Sequence, residues 1–105
     1  MILKCFVVFD SKANLYQGPY FSRSSAEMIR NFSYVAAMDT SSVFHKYGAD
    51  YTLFEVGQFD DATGVISCEN SLAFINHGNM LTLGAAYIAA DEAAKRAALV
   101  SKEDV

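Results

Sequence analysis

Aromatic and cationic residues interleave through the first half of the chain: Lys12, Tyr16, Tyr20, Phe21, Arg23, Arg30, Tyr34, Lys46 and Tyr47. Flat rings stack unpaired bases and nearby cations hold phosphates, so this mixture suits single-stranded nucleic acid. Within the set, Tyr16, Tyr20, Arg23, Arg30, Tyr34 and Lys46 are the candidate contacts. Tyr34 follows Arg30 by one helical turn, away from the apolar stripe of their shared segment. The competing expectation is that Tyr16, Tyr20 and Phe21 belong to the core while the cations solvate the surface.

Other chemistries find less support. His45 and His77 fall in unrelated loops and form no spaced pair with Cys5 or Cys68, whereas a zinc site wants paired ligands such as C-x-x-C or H-x-x-x-H. Both cysteines sit in strand-like apolar surroundings, where buried reduced thiols are expected rather than a disulfide or a nucleophile. Asp60 and Asp61, with Asp10, read as turn residues rather than as an acidic metal cluster. No phosphate-binding loop, dinucleotide fingerprint or serine elbow occurs. The expectation is a non-catalytic protein without metal or cofactor.

The elements that must position these residues follow from pattern. Ile2 to Phe9 is apolar on both faces apart from Lys4, which predicts a central, doubly covered strand. Asp10–Asn14 is turn chemistry, returning the chain as a second strand through Leu15, Tyr16 and Gln17 that Gly18-Pro19 ends. Ser24 and Glu27 make a capping box for a helix from Ser25 to Met38, with Met28, Ile29, Phe32, Val35 and Ala36 on one stripe. Residues 39–50 form a polar connection anchored by Val43 and Phe44. Tyr51 to Val56 is a strand with Thr52, Phe54 and Val56 on one face and Tyr51, Leu53 and Glu55 on the other. Asp60–Gly64 suits a type I hairpin turn closed by a bulge, with Val65 to Cys68 returning. Residues 70–80 are ambiguous, a short apolar piece, Leu72 to Ile75, ended by Asn76-His77-Gly78-Asn79.

The tail repeats alanine every four residues at Ala85, Ala89, Ala93 and Ala97. Helix propensity and the i,i+4 pairs Asp91–Lys95 and Glu92–Arg96 predict a helix over Ala85–Val100. It is either a plain surface helix or a close-packed contact with the body or a second copy. The resulting fold class is α+β: a small antiparallel sheet in β-β-α-β-β order, one packed helix and an alanine-rich C-terminal helix. Residues 1–80 are the core domain; residues 81–105 belong to the same domain or to a dimer contact.

Bulk properties fit one small domain. The chain has 105 residues, 52% hydrophobic, enough for one core without staples. Its longest apolar run, Cys5 to Phe9, is far short of a membrane span, and Met1-Ile2-Leu3-Lys4 has no signal-peptide character. Residues 1–50 balance at +1 and residues 51–105 at −5. The net charge of −4 excludes a protein that coats duplex DNA by charge alone.

Three stretches, in order over residues 4–66, resemble the small non-structural protein of gokushovirus-type microviruses, bacteriophages with circular single-stranded DNA. They are Phe6-Val7-Val8-Phe9-Asp10-Ser11-Lys12-Ala13 with Tyr16 and Pro19-Tyr20-Phe21; Ala26 to Phe32; and Asp50–Gly57 followed by Phe59-Asp60-Asp61 and Thr63-Gly64. The sequence departs from that pattern at Tyr47-Gly48-Ala49, where the family has His-Pro-Glu, and the alanine-rich tail lies outside the likeness. The resemblance implies an accessory protein in the cytoplasm of the infected bacterium, contacting single-stranded DNA or the replication and packaging machinery, and it brings no catalytic residues. Phe9, Phe54, Phe59 and Gly64 also satisfy strand and turn requirements. A homodimer is expected. The alternative is a protein–protein adaptor that engages a host or phage protein through the acidic half and the alanine helix.

Overall fold

The computed structural model describes residues 1–68 and 75–103. Its elements are β1 (Ile2–Asp10), β2 (Leu15–Ser22), α1 (Ser25–Met38), α2 (Val43–Lys46), a 3₁₀ turn (Gly48–Asp50), β3 (Tyr51–Asp60), β4 (Val65–Ser67), β5 (Ile75–Asn79) and α3 (Met80–Glu103). The strands form one antiparallel sheet, ordered β2-β1-β3-β4, with β5 beside the first half of β3 on the same side as β4. The α+β class and the order β-β-α-β-β hold, with a fifth strand added.

β1 is central, between β2 and β3. On one face Phe6 and Val8 are fully buried with Leu53 and Tyr51 of β3 beneath Met28, Phe32 and Ala36 of α1 and Met80 and Leu83 of α3. The double cover expected for β1 is therefore a helix layer on one side only. On the other face Leu3, Val7 and Phe9 are half-buried by neighbouring side chains, and no described helix lies over them.

β2 does not stop at Gly18-Pro19 but runs through it to Ser22. The register against β1 shifts between Phe6 and Val8, which accommodates the pair as a bulge. β2 is an edge strand, so the N–H that Pro19 lacks is not missed by a second neighbour. The hairpin turns follow their chemistry. Asp10 Oδ1 accepts from the N–H of Lys12 (3.0 Å), and Gly64 (φ 76°) closes the second turn by donating to Asp60 O at 2.8 Å.

A bulge in β3 has larger consequences. Phe6 pairs with Glu55 but Cys5 pairs with Gly57, so Val56 is the extra residue. The alternation through Tyr51–Glu55 matches the sequence expectation; beyond the bulge it inverts, and Gly57 and Phe59 join the helix-free face. Gly57 is required there, because a Cβ would lie 2.5 Å from Ser67 O and 2.9 Å from Cys68 Sγ.

α1 spans the expected residues, capped by Ser24 Oγ, which accepts from Glu27 N at 3.1 Å. The connection that follows holds a short helix whose anchor is Phe44 alone, between the rings of Phe32 (5.5 Å) and Tyr51 (5.1 Å). Val43 is exposed, contrary to the paired anchor expected. α3 starts five residues before Ala85 because Asn79 caps it, its Oδ1 accepting from Leu81 N at 2.8 Å. Met80 and Leu83 belong to the core, so a boundary at residue 80 does not separate the helix from the body. The expected apolar piece Leu72–Ile75 lies outside the described residues except for Ile75. Ala85, Ala89, Ala93 and Ala97 are all exposed; Gly84 and Tyr87, rather than the alanines, bring α3 against α1.

Candidate nucleic-acid interface

Cross-strand pairing decides which side chains share the helix-free face, because directly opposed residues point the same way. The pairs Cys5–Phe21, Phe9–Tyr16, Val7–Phe54, Cys5–Gly57, Leu3–Phe59 and Phe59–Ile66 place five aromatic rings on it. They lie in two groups. Phe9 and Tyr16 meet at 4.8 Å between ring centroids and Tyr16 and Phe54 at 6.5 Å; Phe21 and Phe59 meet at 5.2 Å. Tyr16 is 56% and Phe21 41% exposed although each is in ring contact. None of these paired face residues is charged.

Cations stand at the two ends of β2. Lys12 is in the β1–β2 turn, and Arg23 directly follows β2 beyond Phe21; both are exposed. Lys12 shares a shallow hollow with Asp10, Tyr47, Asp50 and Tyr51.

The six candidate contacts separate. Tyr16 is on the helix-free face and Arg23 at its border. Tyr20 points to the opposite face, edge-on to Phe32 at 5.2 Å. Arg30 and Tyr34 project from the outer side of α1, where Tyr34 (51% exposed) meets Tyr87 of α3 at 5.6 Å. Lys46 is exposed on α2. Phe9, Phe21, Phe54 and Phe59 complete the face but were not among the candidates. The alternation Leu3, Cys5, Val7, Phe9 carried the signal, yet the same spacing serves a covered face equally well.

A polar cluster sits at the border of the helix layer. Ser25 Oγ donates to Glu55 Oε1 (2.6 Å), and His77 Nε2 lies 3.0 Å from the same oxygen; Lys4 Nζ donates to Ser25 Oγ (3.0 Å) and is 3.6 Å from Glu55 Oε2. Burial works against the Glu55 charge, but the hydrogen bonds from Ser25 and His77 and the Lys4 charge outweigh it and hold the carboxyl below its usual range. The Ser25 hydroxyl gives its proton to a carboxylate and receives one from an ammonium, so the group ties β1, α1, β3 and β5 together. His45 is engaged elsewhere, its Nδ1 2.8 Å from Ala36 O.

Cys5 is buried, and burial followed by the neighbouring Cys68 pushes its thiol up. Cys68 is exposed, which corrects the expectation of two buried thiols: β4 ends at Ser67 on the edge of the sheet. Among the described residues no three His, Cys, Asp or Glu side chains converge as metal ligands, and no described helix is long and apolar enough to cross a membrane.

No curated protein and no solved structure matches the chain. The family model described as phage ORF5 protein matches residues 3–81, from β1 to the first turn of α3. That match covers 79 of the 105 residues, and the chain therefore belongs to the phage ORF5 protein family.

Proposed function

We propose that the protein is a non-catalytic phage accessory protein that holds single-stranded DNA across the helix-free face of its sheet during viral genome synthesis or packaging, in the cytoplasm of the infected bacterium. The observation that carries this reading is the set Phe9, Tyr16, Phe21, Phe54 and Phe59 on a sheet face that no described helix covers. Sheets that present aromatic rings in this way bind single strands by stacking, and stacking tolerates any base sequence. The likeness to gokushovirus-type non-structural proteins supports the same reading. Duplex DNA offers no unstacked bases to such a face, and a chain of net charge −4 gains little from phosphates alone.

Fluorescence anisotropy of a labelled single-stranded oligonucleotide and its duplex, titrated at low and physiological salt, tests this. Micromolar or tighter binding that prefers the single strand supports it; equal binding to duplex, or none at low salt, refutes it. The uncharged character of the face favours one competing reading, an adaptor or homodimer that buries it against protein. In that case the pure protein self-associates through Phe21 and Phe59, and single strands do not compete.

A further inference from the structure

We infer that a bound single strand does not end on the sheet but turns over the β2 edge and places a nucleotide in the cleft between α1 and α3. This rests on the proposed use of the sheet face. Phe21 and Tyr20 are consecutive on the edge strand and point to opposite sides of the sheet, Phe21 to the helix-free face and Tyr20 to the helix layer. Tyr20 lines a hollow of 220 Å³ with Met28, Asn31, Phe32 and Val35. Asn31 and Val35 are shared with the adjoining cleft of 750 Å³, whose other walls are Glu27, Arg30, Tyr34 and Tyr87. Shared walls thus join the hollow under the edge strand to that cleft, and Phe21, Tyr20 and Tyr34 supply aromatic rings along the way.

The cleft has the chemistry of a nucleotide site. Tyr34 and Tyr87 stand nearly perpendicular, at 80°, which leaves ring surface for a base. Arg30 makes no ion pair among the described residues, so its guanidinium is available to a phosphate. Glu27 and Asn31 offer acceptors and an amide donor to the edge of the base. The occupant is single-stranded DNA rather than free nucleotide, because Asn31 and Val35 join the cleft to the hollow of Tyr20 on the edge strand that carries Phe21.

The test compares oligothymidylates of about 4 and about 16 nucleotides, the span of known single-strand site sizes, on the wild type, Phe21→Ala, Arg30→Ala and Tyr87→Ala. Phe21→Ala is expected to weaken both lengths. Arg30→Ala and Tyr87→Ala are expected to leave the short oligonucleotide unchanged and to weaken the long one about tenfold. If both cleft variants bind the long oligonucleotide as the wild type does, or weaken both lengths equally, the wrapped path is wrong while the sheet reading stands. If the wild type binds neither length, the sheet reading and this inference fall together. Arg30 is exposed and makes no ion pair among the described residues, so its variant decides the matter should Tyr87→Ala lower the melting temperature.

Discussion

Replacing Phe21 by alanine separates stacking from charge and from folding. Stacking of a base on an aromatic side chain is worth about 1–3 kcal/mol, so loss of this ring raises Kd by about 5- to 150-fold at 25 °C. The variant also loses the contact with Phe59 at 5.2 Å, worth about 0.5–1.5 kcal/mol. Phe21 is 41% exposed, so the loss stays below the cost of a fully buried Phe→Ala change, about 3–5 kcal/mol. A cost of about 2 kcal/mol leaves a domain of ordinary stability almost wholly folded at 25 °C, so the weakened affinity cannot come from unfolding. Salt provides the second axis. Single strands give a slope of log K on log salt of about −0.7 per phosphate contact, so on an oligonucleotide too short to reach Arg30 two contacts, at Lys12 and Arg23, give about −1.4. Phe21→Ala shifts that line without tilting it; Arg23→Ala flattens it by about 0.7. Anisotropy titrations at four salt concentrations read both quantities. A Phe21→Ala protein that binds as the wild type does, or whose slope changes while its low-salt affinity does not, would refute the stacking platform.

Gly57→Ala places a methyl group 2.5 Å from Ser67 O, which β4 relieves only by leaving the sheet; urea unfolding should show a loss of about 1–3 kcal/mol. The Glu55 carboxyl, held below its usual range in the fold, contributes stability above its unfolded-state pKa that is lost as pH falls through the folded value. Melting temperature should therefore drop between pH 5 and pH 3 by more than in Glu55→Gln, and equal drops would remove the role given to the Lys4–Ser25–Glu55–His77 cluster. Ala89→Glu with Ala93→Glu, both at exposed positions of α3, should leave stability within about 0.5 kcal/mol per site. If α3 is the contact of a homodimer, the same pair abolishes self-association in sedimentation velocity, whereas a variant that still dimerises excludes that helix.

Local chemistry made much of the fold legible. Ser24 and Glu27 announce α1, Asp60 to Gly64 announces the second hairpin, and the alternation Tyr51 to Glu55 sorts the two faces of β3. Each is a signal contained within a few residues. What stayed hidden depends on partners distant in sequence. Val56 becomes a bulge only because β1 pairs with both sides of it, and that bulge puts Phe59 on the helix-free face. Ile75–Asn79 pairs as a strand although it contains Asn76, Gly78 and Asn79, residues of turns, because β3 leaves an edge free beside Thr52–Glu55. The candidate site suffered from the same limit. Tyr16 and Tyr20 are four apart and would share one face of a regular strand, yet the bulge at Gly18-Pro19 sends them to opposite faces, and the helix sends Arg30 outward into a cleft shared with a residue from the tail, Tyr87.

The tail also accounts for the face that no described helix covers. A sheet whose central strand is apolar on both sides ordinarily takes a second layer on each. Here α3 does not cross beneath the sheet; Gly84 lets it close on Ala36 and Ala37 of α1, where a Cβ would already sit 3.3 Å from their atoms. Both long helices are thus committed to one side, and Tyr16, Phe21 and Ile66 remain exposed on the other. On the proposed reading such a face takes a partner that is flat and apolar, which a second copy and a run of bases both provide. The cations distinguish them. Lys12 precedes and Arg23 follows β2, whose ends lie about 20 Å apart because the bulge sets it against Lys4 to Asp10 of β1, with Tyr16 and Phe21 between them. A second copy laid face to face brings no carboxylate from within the face to meet Arg23, since its paired residues are uncharged, while Lys12 already shares a hollow with Asp10 and Asp50. A single strand brings phosphates at every step along with the bases, and so satisfies the rings and the charges together.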